Sequence, residues 1–408
     1  MLLKKKIFLI VSLLYIIHVV VPIVPDVLNI PVWIVSLGTF VILLILYPRA
    51  FLNNSVKWFI GYTLILGFYL LIEKPLTIGI GSVADTQKLI IEMAFILPGL
   101  SIFSILFYLR DGTLFKYMSI AALVSLVISF IYLTPLILSD SNVLRNAASA
   151  DHLNFKIPGI PNYALMHSYI IIFPAILYGI KILKGRQKLL MLGIAGLFVF
   201  IIINTYITTS LLISFAVVVF ALLYDVKRRL KSFLLISFVA FAVIILEMSG
   251  AFLHMFDTLI DYFYGTQVQA KMEDFRTLYI TKDLKNTITI AGRTDLHVLS
   301  WDAFTENILT GSNPVGGHSS LIDRLGGLGL LGFIPFLMII VSYARLIYRA
   351  LIDIEQKTYF VLGLACTLML LYQKGLFSQE GWLFLMVLMP GLIITFRNSQ
   401  KNQSSGRT

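Results

Sequence analysis

Lys4-Lys5-Lys6 opens onto Ile7-Phe-Leu-Ile-Val-Ser-Leu-Leu-Tyr15-Ile-Ile-His18-Val-Val-Val-Pro22-Ile-Val24, a basic cluster followed by a nearly unbroken apolar run. A run of about 17–25 apolar residues is long enough to cross a hydrocarbon core of about 30 Å as a helix. The pattern recurs at 28–48, 58–73, 88–109, 114–138, 163–183, 189–204, 206–224, 233–249, 325–344, 358–377 and 379–396. About twelve spans are therefore expected, in an all-α polytopic integral membrane protein. The first run resembles a signal peptide, but no small-residue cleavage site stands out. A retained first helix with a cytoplasmic N-terminus is expected.

Composition agrees. The 408 residues are 58% hydrophobic and 13% charged, with a mean hydropathy of +0.90, a balance that soluble domains of this size do not show. Repeated short alternating strands, the mark of a membrane barrel, are absent. The single cysteine, Cys366, lies in an apolar run, which excludes disulfides and cysteine metal sites.

The net charge of +11 belongs to the membrane rather than to nucleic acid. With the N-terminus inside, segments 1–6, 49–57, 110–116, 181–188, 225–232, 345–357 and 397–408 face the cytoplasm. They hold about 21 of the 32 Lys and Arg but only about 4 of the 21 Asp and Glu, as the positive-inside rule requires. Segments 74–87, 139–162 and 250–324 then face outward, and 397–408 is a cytoplasmic tail. The whole chain, 1–408, reads as one membrane domain with an elaborated outer surface.

Segment 250–324 is a large extracytoplasmic loop between the ninth and tenth spans, and loops of this length are usually functional. It carries Ala291-Gly292-Arg293-Thr294-Asp295, Trp301, and Gly311-Ser-Asn-Pro-Val-Gly316-Gly317-His318-Ser319-Ser320. Leu296, Leu299, Ala303 and Phe304 recur at helical spacing from Thr294 onward, which predicts a short amphipathic helix with Trp301 as an interfacial anchor. Arg293 then precedes a helix N-terminus, where guanidinium and backbone N–H groups together favour an anion. It can equally pair with Asp295 or a lipid headgroup. Gly316 and Gly317 can turn consecutive N–H groups toward an anion.

His318 is expected to open the next span. Its imidazole can take a proton from a sugar hydroxyl, or it can simply hydrogen-bond a neighbouring loop. Asp323-Arg324 reads as an interfacial ion pair, and Gly326, Gly327, Gly329 and Gly332 as sites of close helix packing. In segment 139–162, Arg145 either binds phosphate or solvates its loop, and Pro161-Asn162-Tyr163-Ala164 leads into a helix. Arg276 and its basic neighbours are offset by Glu273 and Asp274, which fits a solvated face. No P-loop, His-Glu-x-x-His or Gly-x-Ser-x-Gly motif is present. No charged run sits mid-helix, which argues against an ion-coupled transporter.

Arg293 with Trp301, Gly311, Gly317-His318-Ser319 and the glycine-rich stretch to Gly332 resemble the signature of the O-antigen polymerase and O-antigen ligase superfamily. Its capsule and exopolysaccharide polymerases are included. Asn162, opening a helix after a loop arginine, is similar to another feature of that family. Where many members carry Ser-Arg, this chain reads Thr208-Thr209-Ser210-Leu211.

The resemblance implies a GT-C-like membrane glycosyltransferase of the bacterial cytoplasmic membrane, working without metal or cofactor. It implies transfer from an undecaprenyl-pyrophosphate-linked oligosaccharide with inversion. His318 would be the proton acceptor, and Arg293, with Arg145, would hold the departing pyrophosphate. Asn162, Arg276, Asp295, Trp301, Gly316, Gly317, Ser319 and Arg324 are candidate substrate-binding residues. Membrane lipids, a chain-length regulator and a flippase are the implied partners, and no nucleic acid. Three alternatives remain: a ligase of finished glycans, a glycosyltransferase dependent on Asp26 in the first outer turn, and a lipid-linked oligosaccharide flippase.

Overall fold

The computed structural model describes residues 2–76, 84–140, 143–144, 164–205, 207–224, 251–283, 286–287, 289–373 and 378–405. All its regular elements are helical: α1 Leu2–Val20, α2 Ile23–Leu28, α3 Val32–Leu46, α4 Asn54–Leu71, α5 Asp85–Leu109, α6 Gly112–Ser139, α7 Ala164–Ile182, α8 Gly185–Asn204, α9 Thr208–Leu223, α10 Ala251–Tyr262, α11 Gln267–Thr281, α12 Thr289–Glu306, α13 Ser320–Ala350 and α14 Ile354–Gln373. The chain closes with α15 Gln379–Leu383, a π-helical turn Phe384–Leu388, and α16 Met389–Ser405. Among the described residues, seven helical segments are long and apolar enough to cross a membrane. The chain is thus a helical, multi-pass membrane protein. The expected span at 233–249, and with it Arg145, Asn162 and most of the 139–162 loop, lie outside the described residues.

Helix limits follow the sequence with a few physical corrections. The first expected span, 7–24, stops at Val20, and the proline-bearing stretch beyond it forms the short α2. The expected break near Thr205 is present between α8 and α9. The expected span 325–344 is longer, Ser320–Ala350, and is bent at Gly329, whose φ of 59° leaves the helical region.

The bundle centres on α7, whose side chains are buried along nearly its full length, and on the α15–π–α16 segment. Aromatic rings fill the centre: Tyr169 lies against Phe130 (centroids 4.2 Å apart) and Phe198 (5.6 Å). Such pairs stabilise by about 0.5–1.5 kcal/mol beyond their area.

Ion pairs join loops that the charge pattern assigns to a common face. Lys5 meets Asp111 at 2.7 Å, Lys181 meets Glu355 at 3.5 Å, and Arg397 pairs with Asp353. The Lys5 ammonium holds the Asp111 carboxyl below its usual value of 3.8, assisted by the N–H groups of Thr113 and Leu114 that the same carboxylate caps.

One buried network organises the start of α13. Arg324 reaches Glu92 of α5 at 2.8 Å, and both side chains are almost fully buried. Tyr62 of α4 donates to Glu92 at 3.1 Å and accepts from Arg324 Nε at 3.3 Å. Arg324 also donates to the Ser320 carbonyl at 3.0 Å and lies 4.5 Å from the Phe336 ring. The expected Asp323–Arg324 interfacial pair is therefore replaced. Successive residues on a helix diverge by about 100°, so Arg324 turns into the bundle and Asp323 faces α12.

Candidate functional site

The described residues of the 250–324 segment are themselves folded. Helices α10 and α11 form a hairpin, with Phe256 and Tyr279 in ring contact at 6.0 Å and Arg276 Nε on Asp257 at 2.6 Å. Asp274 of α11 then caps α12, accepting from the Ile290 N–H at 3.3 Å, while the Thr287 hydroxyl accepts from Ala291 at 3.1 Å. These two acceptors start α12 at Thr289, a turn before the expected Thr294. Arg293 consequently lies inside the helix, and the Ile290 and Ala291 N–H groups are satisfied by the protein rather than open to an anion.

Helical spacing aims Ile290, Arg293, Thr294 and His297 in one direction. They line a cavity of about 600 Å³ together with one face each of three other helices. Helix α9 gives Thr209, Leu212 and Ile213; α11 gives Lys271, Phe275 and Leu278; α14 gives Met369, Tyr372 and Gln373. The His297 and Tyr372 rings meet at 5.1 Å with a 52° tilt. No carboxylate lines the cavity among the described residues. Asp295, two positions from Arg293, is exposed and points to the opposite side of α12, because residues i and i+2 do not face each other on a helix. Two cations, an imidazole and a largely apolar wall thus share one half-open cleft, suited to an anionic head on an apolar chain.

The turn carrying His318 is seated on the adjoining face of α12. Gly316 donates its N–H to Ser300 Oγ at 2.8 Å, and Ser300 donates to Asp323 Oδ1 at 2.6 Å. A Cβ on Gly316 would lie 2.2 Å from the Leu296 carbonyl oxygen, so only glycine brings the turn this close. The Gly316 N–H is therefore committed to Ser300, not to a ligand. Gly317 has a φ of 73° and stands exposed.

Helix α13 begins at Ser320, with Ser319 as its cap: the Ser319 hydroxyl accepts from Ile322 at 3.1 Å, and its N–H reaches Asp323 Oδ2 at 2.7 Å. His318 thus precedes the helix and is exposed, outside the lining of the cavity.

The glycines beyond serve the same packing. The bend at Gly329 frees carbonyls and N–H groups that find partners elsewhere. Leu330 and Leu331 donate to Ile308 and Leu309 at 2.9 and 3.0 Å, and the Leu328 carbonyl accepts from Tyr69 at 2.8 Å. Gly326 abuts Ser300, where a Cβ would come within 2.3 Å of the carbonyl oxygen. Lys74, just after α4, donates to the carbonyls of Thr310 and Gly311. Burial depresses its pKa below the usual 10.5.

Of the expected residues, the structure brings Arg293 into the cavity. It places Gly316, Gly317, His318 and Ser319 on the neighbouring turn and Arg324 in the buried Glu92 network. Trp301 is half-exposed on α12, 5.4 Å from Phe304, and Arg276 is in its exposed pair. Among the described residues no three of His, Cys, Asp and Glu converge as metal ligands. Lys271, His297, Tyr372 and Gln373 were not singled out in the sequence. His297 carried one visible signal, its place one turn after Arg293.

Comparison with known proteins assigns no family. No family model matches the chain, and no significant match is found among curated proteins.

Proposed function

We propose that the protein is a membrane glycosyltransferase, a polysaccharide polymerase of the O-antigen, capsule or exopolysaccharide type. It would join undecaprenyl-pyrophosphate-linked repeat units on the outer face of a bacterial cytoplasmic membrane. The topology of this reading is about twelve spans with both termini inside, the arrangement that the Lys and Arg distribution favours. The observation that carries it is the cavity between α9, α11, α12 and α14. Arg293 and Lys271 supply positive charge, with no carboxylate lining the wall among the described residues, beside apolar side chains suited to a lipid tail.

In this reaction the acceptor hydroxyl attacks the anomeric carbon as the bond to pyrophosphate breaks. Arg293 and Lys271 neutralise charge growing on the leaving oxygen, stabilisation that acts where charge develops. Arg145 is retained as a further phosphate ligand. His318, on the turn seated against α12, takes the hydroxyl proton. The pyrophosphate ester is already activated, so no separate energy source enters. A ligase would share this donor site and differ in acceptor.

The test is reconstitution with a lipid-linked repeat unit in EDTA, comparing product length for wild type, His318→Ala and Arg293→Ala. Ladders from wild type that vanish in both folded variants support the proposal. Ladders that persist in His318→Ala remove His318 as base. Unlengthened glycan moved to a new acceptor indicates a ligase, and unreacted lipid-linked glycan carried across the bilayer indicates a flippase.

A further inference from the structure

Beyond its two cations, the cavity carries aromatic and uncharged polar groups. His297 and Tyr372 form an angled aromatic wall, their centroids 5.1 Å apart and their planes 52° apart. Gln373 follows Tyr372 at the end of α14, and the hydroxyl-bearing Thr209 and Thr294 also line the space. Tyr372 lines this space and is 42% exposed. The amide of Gln373 offers both a carbonyl acceptor and two donors.

We infer that His297, Tyr372 and Gln373 form a sugar-binding subsite that takes the first pyranose ring of the lipid-linked donor. A pyranose has an apolar C–H face bordered by hydroxyls that both donate and accept. An aromatic wall beside a side-chain amide complements both features, as convergent polar groups in an apolar pocket fix a ligand's orientation. The spacing fits as well. His297 lies one helical turn beyond Arg293, a rise of about 6 Å, so a glycosyl phosphate held at Arg293 sets its sugar beside the imidazole. Tyr372 and Gln373 are then specificity-determining residues. The inference rests on the reading of the cavity as a site for a lipid pyrophosphate.

The experiment measures binding of two probes to the purified full-length protein: undecaprenyl pyrophosphate, and the same lipid pyrophosphate carrying a single hexose. Wild type should bind the glycosylated lipid at least about tenfold more tightly, equivalent to 1.4 kcal/mol. Tyr372→Ala and Gln373→Ala should lose that preference while keeping affinity for the bare lipid, and Tyr372→Phe should retain it. Arg293→Ala should weaken both probes. The subsite is overturned if wild type binds the two lipids equally, or if the preference survives in Tyr372→Ala and Gln373→Ala. It is also overturned if Tyr372→Ala weakens both probes alike. If wild type binds neither lipid, the cavity reading itself falls, and the subsite with it.

Discussion

The Asp323 carboxylate holds the Ser300 hydroxyl at 2.6 Å on one oxygen and the Ser319 N–H at 2.7 Å on the other, and all three residues are buried. Through Ser300, which accepts from the Gly316 N–H, this carboxylate fastens the His318 turn to α12, the helix that presents Arg293. Ser300→Ala leaves the Gly316 N–H and one Asp323 oxygen without this partner. The expected loss is about 1–3 kcal/mol for buried polar groups left unpaired, measured as thermal stability in detergent. The proposed glycosyl transfer should fall further than stability alone explains, because the turn loses its register.

Breaking the Glu92–Arg324 pair should be more damaging. Glu92→Gln leaves a buried guanidinium without its counter-charge, and losing one partner of such a pair costs about 3–5 kcal/mol. The double variant Glu92→Gln with Arg324→Met should recover part of that loss, as a double-mutant cycle would show. A loss in the double variant equal to the sum of the two single losses would separate the two residues energetically.

Both positions show what the sequence allowed. Apolar runs located most of the described helices to within a few residues, because run length against bilayer thickness is a local property. Arg293 and the Gly316–His318 turn were legible as loop features of unusual composition. The Glu92–Arg324 pair was not, since it joins positions 232 apart and neither flank announces its partner. Lys271 and Tyr372 escaped for a similar reason: the cavity exists only once four helices meet, and no single helix carries its pattern. The helix start at Thr289 was hidden because its capping carboxylate, Asp274, comes from the preceding helix.

Gly326 tests the close approach directly. A Cβ there would lie 2.3 Å from the Ser300 carbonyl oxygen, backbone that no rotamer change relieves. Gly326→Ala should destabilise by about 1–3 kcal/mol, the range for overpacking, whereas Gly292→Ala, with open space around it, should fold normally. Melting temperatures of the two variants make the comparison.

Arg276 supplies a contrast with Arg293. Its pair with Asp257 is about half exposed, and exposed pairs contribute about 0–1 kcal/mol. Arg276→Gln should leave stability and transfer close to wild type under conditions where Arg293→Gln abolishes product. A product ladder lost in both variants would extend the site to the α10–α11 hairpin.

Acid should weaken the Lys5–Asp111 tie. The Asp111 pKa is lower in the folded protein than its usual 3.8, so its contribution is present above that value. It is lost as pH falls through the depressed folded pKa. Asp111→Asn should therefore lower the melting temperature at neutral pH, and the gap to wild type should close below the ordinary carboxylate range. A gap independent of pH would remove the ionised pair as its cause.

The most direct test of the cavity as the donor site is crosslinking with a photoreactive polyprenyl pyrophosphate, mapped by mass spectrometry of the full-length protein. Labelled peptides are expected from α11, α12 and α14, around Phe275, Arg293–His297 and Met369–Gln373, suppressed by excess unlabelled lipid pyrophosphate and by Arg293→Ala. Saturable labelling confined to other helices, with these peptides unmodified, would contradict the cavity as the donor site.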